Sequence, residues 1–139
     1  EVAAYDKVLE GKRFLAAEDN FLNAGILTEL LELEGATVEI VENGQLAMER
    51  FEQASPGEFD AILMDVQMPV MNGHAAARAI RALDRADARS IPIIAMTADA
   101  FVEDEKAALA AGMNAHVAKP LEIDDLKRAV DRHVEKGRA

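Results

Sequence analysis

Four short stretches put reactive groups directly behind apolar runs. Glu18-Asp19 follows residues 14–17, Asp65 follows residues 61–64, Thr97 follows residues 91–96, and Lys119 follows residues 115–118. Carboxylates gathered in one small cleft repel one another, so Glu18, Asp19 and Asp65 together call for a cation, and an all-oxygen ligand set favours Mg²⁺ over softer metals. Mg²⁺ binds through one or two carboxylates, keeps waters and takes phosphate oxygens as further ligands. With an ammonium and a hydroxyl alongside, the chemistry implied is phosphoryl transfer. Asp65 attacks phosphorus as a carboxylate nucleophile and becomes an acyl phosphate. Mg²⁺ and Lys119 neutralise the equatorial oxygens, Thr97 donates a hydrogen bond, and Glu18 and Asp19 hold the metal. The small Ala98 beside Thr97 leaves the approach to Asp65 open. Taken singly, each group has a plainer reading: a solvated loop carboxylate, a hydroxyl capping a turn, a surface lysine lying along apolar neighbours. The coincidence of all of them at matching strand ends favours the joint reading.

These groups meet only if the runs before them are parallel strands ending on one edge. Residues 14–17 read as a short strand, with Asn20 as N-cap of a following helix in which Ile26, Leu27, Leu30 and Leu31 recur at helical spacing and Gly35 is the stop. Residues 37–41 alternate like an edge strand, with Val38 and Ile40 on one face and Glu39 on the other. Asn43-Gly44 opens a helix packing through Ala47, Phe51 and Ala54, and Ser55-Pro56-Gly57 turns the chain into the strand ending at Asp65. Asn72-Gly73 starts a third helix, with Ala76, Ile80 and Leu83 inward and Arg78, Arg81 and Arg85 outward, followed by a polar loop over residues 84–90. The run 91–96 lacks alternation, which places it in the sheet's interior. A charged helix closed by Gly112, a short strand over 115–118 and a helix facing inward through Ile123, Leu126, Val130 and Val134 complete the pattern. Five strands alternating with five helices predict a mainly parallel sheet covered on both faces, a three-layer α/β sandwich.

Composition narrows the function. A formal charge of −11 over 139 residues disfavours a nucleic-acid surface, and the lack of cysteine removes disulfides, thiolate metal sites and thiol nucleophiles. No apolar run approaches the ~20 residues that span a bilayer, so membrane contact is not expected. Residues 1–11 read as a lead-in, 12–136 as one domain and 137–139 as a tail. The start at Glu1 suggests a segment of a longer polypeptide. His74, His116 and His133 show no short metal-ligand spacing.

Jointly, Ala17-Glu18-Asp19-Asn20, Met64-Asp65-Val66-Gln67-Met68-Pro69-Val70-Met71-Asn72-Gly73, Met96-Thr97-Ala98 and Gly112-Met113-Asn114 running on to Lys119-Pro120 resemble a response-regulator receiver domain. The form of the first and last of these is similar to receivers attached to hybrid sensor histidine kinases. The resemblance implies a doubly wound, flavodoxin-like sheet of order 2-1-3-4-5. It implies phosphorylation of Asp65 by a histidine kinase or histidine phosphotransfer domain, and Mg²⁺ held by Asp19, Asp65 and the Gln67 carbonyl. Thr97 would be a switch residue, with Val66 and Ala98 governing access to the phosphate. It also implies a cytoplasmic domain that catalyses its own phosphorylation and slow dephosphorylation rather than acting as a free-standing enzyme. At the usual aromatic switch position this chain has His116, which departs from the family pattern. A haloacid-dehalogenase-like phosphatase is disfavoured because Gln67 stands where that family has its acid. A non-phosphorylated docking module of the same fold is the other alternative. Phe21 and Leu22, at the start of the first helix, are the candidate partner surface.

Overall fold

The computed structural model describes residues 7–66, 68, 70–98, 102–119 and 121–134, with backbone alone for 102–105. The elements run β1 Arg13–Ala17, α1 Phe21–Leu33, β2 Thr37–Val41, α2 Gly44–Gln53, β3 Ala61–Asp65, α3 Gly73–Arg81, β4 Ile93–Thr97, α4 Val102–Ala110, β5 Ala115–Ala118 and α5 Ile123–His133. The strands form one parallel sheet in the order β2-β1-β3-β4-β5. Both the alternation and the order agree with the sequence expectation.

Helix starts follow from side-chain caps. Asn20, Asn43 and Asn72 each accept a hydrogen bond, at 2.8–2.9 Å, from the backbone N–H three residues on. Each such cap contributes about 1 kcal/mol by satisfying a donor the helix cannot. The interior strands are apolar on both faces because both faces are covered. Leu15, Ala17, Ile62, Met64, Ile93 and Ala95 pack with Phe51 of α2 and Ala76 and Ile80 of α3. The alternate residues Phe14, Ala16, Leu63, Ile94 and Met96 pack with Leu27 and Leu31 of α1 and with Leu126 and Val130 of α5. No helix among the described residues is long and apolar enough to cross a membrane.

Four local readings need correction. Ile26, expected to face the core, is 56% exposed, so the buried stripe of α1 is Leu27 and Leu31. Leu9, within the segment read as a lead-in, is fully buried against the α1 and α5 layer, and the Gly11 N–H donates to the Gly35 carbonyl at 2.9 Å. The polar stretch before β4 contains a 3₁₀ turn, Ala86–Ala88, that buries Ala88 completely. Arg81 and Arg85 do not form a solvated face with the exposed Arg78. Arg81 donates to the carbonyls of Ala88, Ile91 and Gly112 and to Asn114 Oδ1. Arg85 pairs with Asp87, donates to the Phe51 and Glu52 carbonyls and lies 4.6 Å over the Phe51 ring. Uncapped carbonyls at helix and strand ends need donors, and these guanidinium groups supply them.

Candidate functional site

Sheet register brings the predicted groups to one height. Ala17 lies beside Val41 and Met64, Asp65 beside Met96, and Thr97 beside Ala118. The ladders then continue one residue past the strands. Glu18 N–H donates to the Val41 carbonyl at 3.0 Å, Val66 N–H to Met96 at 3.0 Å and Lys119 N–H to Thr97 at 2.9 Å. The backbone under each reactive residue is thereby fixed before any side chain is placed.

Glu18, Asp19, Asp65, Thr97, Ala98 and Lys119 all line one open cavity of about 300 Å³. Glu18 and Asp65 are 4% and 3% exposed, while Asp19 faces solvent. Carboxylate oxygens of the three acids lie within 4.8 Å of one another. Lys119 Nζ sits 2.9 Å from Asp65 Oδ2 and 3.3 Å from Glu18 Oε1, and the second Glu18 oxygen accepts the Asn20 N–H at 3.0 Å. Burial raises the Glu18 carboxyl above its ordinary range, with the neighbouring charge of Asp65 adding to it, against the opposing Asn20 N–H and Lys119. Burial alone would lower Lys119, but its bonds to Asp65 and Glu18 outweigh that and raise it. Three carboxylates facing one ammonium leave two negative charges, which a divalent cation matches. Oxygen donors at this spacing fit a hard ion such as Mg²⁺.

Two glycines hold the loop after β3 against the site. A Cβ on Gly73 would lie 2.5 Å from the Asp65 carbonyl oxygen and 2.9 Å from Val66 Cα, and Gly73 N–H donates to the Val66 carbonyl at 2.9 Å. A Cβ on Gly44 would meet the Met71 carbonyl at 2.5 Å. Between them Val70 takes φ +69°, which costs a β-branched residue roughly 1–2 kcal/mol. Nothing in the residue order signals that strain.

Of the remaining sequence expectations, Val66 is half-buried next to Asp65. The Gln67 carbonyl, Pro69 and Pro120 lie outside the described residues. His116 is half-buried on β5 and lines a separate cleft against α5 rather than the acidic cavity. Asn20, read in the sequence only as a helix cap, and Asn23, which the sequence did not single out, also line the cavity. Their signal was position: Asn20 directly follows the Glu18-Asp19 pair and Asn23 lies in the first turn of the helix after it.

A family model described as the response regulator receiver domain matches residues 14–131. The chain is 43% identical over 109 residues to hybrid signal transduction histidine kinase M of Dictyostelium discoideum; the match covers 78% of this chain and 4% of that protein. Its structure resembles the receiver domain of a sensor histidine kinase from Pseudomonas aeruginosa PAO1, which has a magnesium ion coordinated in the active site cleft. The TM-score is 0.78 with 38% identity, covering 88% of this chain and 97% of that one. It also resembles a Saccharomyces cerevisiae co-crystal of the histidine phosphotransfer protein Ypd1 with the receiver domain of its downstream response regulator Ssk1. There the TM-score is 0.75 with 28% identity, covering 88% of each chain.

Proposed function

The chain belongs to the response regulator receiver family, and from that premise we propose that it takes a phosphoryl group from a partner's phosphohistidine onto Asp65. The observation that carries this reading is the buried Asp65 carboxylate, held 2.9 Å from Lys119 Nζ within 4.8 Å of two further carboxylates. An Asp65 oxygen forms the new bond to phosphorus, the phosphorus–nitrogen bond of the donor breaks, and its electron pair returns to the imidazole. Lys119 stabilises the charge on the transferring group, and Thr97, at the rim of the same cavity, donates to a phosphoryl oxygen. Glu18, Asp19 and Asp65, with the Gln67 carbonyl, would hold Mg²⁺, which supplies charge neutralisation at the phosphoryl oxygens when bound. Ala98, which lines the cavity, and Val66, next to Asp65, would govern access to the phosphoryl group, and Thr97 and His116 would act as the switch pair.

The partner is a histidine kinase or histidine phosphotransfer domain, and the chain is one cytoplasmic module of a larger sensor kinase; its matches cover 4% and 7% of the first curated relatives. Mass spectrometry after incubation with Mg²⁺ and acetyl phosphate tests the assignment. Wild type gains one hydroxylamine-labile phosphoryl group and Asp65→Asn gains none; equal incorporation in both rejects Asp65.

A further inference from the structure

The last strand carries Lys119 to the acidic cleft with little of its own to hold it in place. β5 is four residues long, Ala115–Ala118, and among the described residues it pairs with β4 alone. Side chains on a strand alternate with a period of two, so sliding β5 by one residue would turn Val117 out of the core and carry Lys119 about 3.3 Å along the sheet. Lys119 Nζ lies 2.9 Å from Asp65 Oδ2, and a shift of that size breaks the contact. The observed register sets Ile94 beside Ala115 and Thr97 beside Ala118, with the Lys119 N–H on the Thr97 carbonyl.

Polar contacts tie down the other end of the strand, roughly 13 Å away for four residues. Asn114, directly before β5, brackets Ile93, the first residue of β4: its N–H donates to the Ile93 carbonyl and its Oδ1 accepts the Ile93 N–H, each at 2.8 Å. Arg81, the last residue of α3, donates to the same Oδ1 at 2.8 Å. Its guanidinium also donates to the Ala88 and Ile91 carbonyls leading into β4, at 2.9 and 2.7 Å, and to the Gly112 carbonyl leading into β5 at 2.9 Å. The chain passes close over the arginine, since a Cβ on Gly112, at φ +101°, would lie 2.8 Å from Arg81 Cγ. These acceptors are neutral oxygens, and burial pulls Arg81 below its ordinary range. A cation taken from water and held by dipoles is a poor source of stability, and fixing register is the best-attested use of such a group.

We propose that Arg81 and Asn114 are positioning residues, which fix the register of β5 on β4 and thereby seat Lys119 against Asp65. The proposal rests on phosphoryl acceptance by Asp65 as set out above.

The test compares rates of phosphoryl incorporation from acetyl phosphate with Mg²⁺, and stabilities from denaturant unfolding, for wild type, Asn114→Ala, Lys119→Ala and the double variant. Asn114→Ala slows incorporation about tenfold or more and speeds hydrogen exchange of the Lys119 amide, whose acceptor is the Thr97 carbonyl. The double variant is no slower than Lys119→Ala, because the pin acts through the lysine, whereas the losses of stability add as they do for distant sites. Asn114→Asp, which keeps the acceptor oxygen, keeps most of the rate. Arg81→Lys, whose single ammonium cannot serve all these acceptors, slows incorporation as Asn114→Ala does, and its effect also vanishes in the Lys119→Ala background. Losses of rate that multiply in the double variant, or a wild-type rate in Asn114→Ala and Arg81→Lys, overturn the proposal. Equal incorporation by wild type and Asp65→Asn instead rejects the reading of Asp65 on which it stands.

Discussion

At the residue scale the cleft depends on its charged side chains and on one position, Gly73, that must have no side chain. Gly73 opens α3 with its Cα against the Asp65 carbonyl, and the atoms a methyl would strike are backbone, which cannot swing aside. Gly73→Ala should therefore cost about 1–3 kcal/mol in denaturant unfolding and slow phosphoryl incorporation, because relief comes only by moving the Asp65–Val66 backbone. Unchanged stability together with an unchanged rate would show that the loop yields without displacing Asp65. Asp65, Glu18, Thr97 and Lys119 were legible in the sequence because each ends an apolar run and the runs are parallel. The strained Val70 and the placement of Asn23 were not, since backbone dihedrals and the aim of a helix's first turn are set by tertiary packing. Arg81 and Arg85 misled for a related reason. Helical spacing does not reveal that the helix stops at Arg81, that the segments leading into β4 and β5 offer carbonyls to Arg81, or that the end of α2 offers them to Arg85.

At the scale of elements, Arg85 joins three of them: it belongs to the segment after α3, caps the end of α2 and holds the 3₁₀ turn through Asp87. The hydrogen bond from Arg85 depresses the Asp87 carboxyl below its ordinary value of 3.8. A depressed folded-state value means stability that is present above pH 3.8 and lost as pH falls through the lower, folded value. Asp87→Asn should then cost about 0.5–1 kcal/mol at pH 7, with the difference from wild type shrinking as the pH is lowered below 3.8. A constant difference across that range would show that the pair contributes packing and not charge. The start of α1 makes a different kind of prediction. Phe21, Leu22 and Ile26 are 90%, 74% and 56% exposed and adjoin the mouth of the acidic cavity through Asn23. A phosphotransfer domain delivering a phosphohistidine to Asp65 should shift amides of α1 in an NMR titration, and Phe21→Asp should weaken it about tenfold or more. Shifts confined to β2 and α2 would reject that surface.

For the molecule as a whole, the sheet gathers carboxylates that no single element would tolerate, and the fold carries the cost of their repulsion. Parallel topology puts the ends of β1 and β3 side by side, so Glu18, Asp19 and Asp65 crowd within 4.8 Å with one lysine among them, on a chain already at −11. Any cation that binds the folded cleft and not the unfolded chain stabilises the fold by mass action. At a hundredfold excess of Mg²⁺ over its dissociation constant this contributes about 2.7 kcal/mol, or roughly 5–10 °C in melting temperature for a domain of this size. Sodium chloride at matched ionic strength separates site binding from screening, since screening alone acts on all the surface charges and requires no particular carboxylate. Asp19 is the exposed member of the trio, so Asp19→Asn removes one negative charge from the cluster without burying a new polar group, and it should lower the Mg²⁺ response while leaving the metal-free protein as stable as wild type or more so. Calorimetric scans with and without Mg²⁺ on both proteins decide the matter. A wild-type melting temperature that responds to Mg²⁺ no more than to sodium would remove the metal from the cleft and, with it, the account of how the buried acids are compensated.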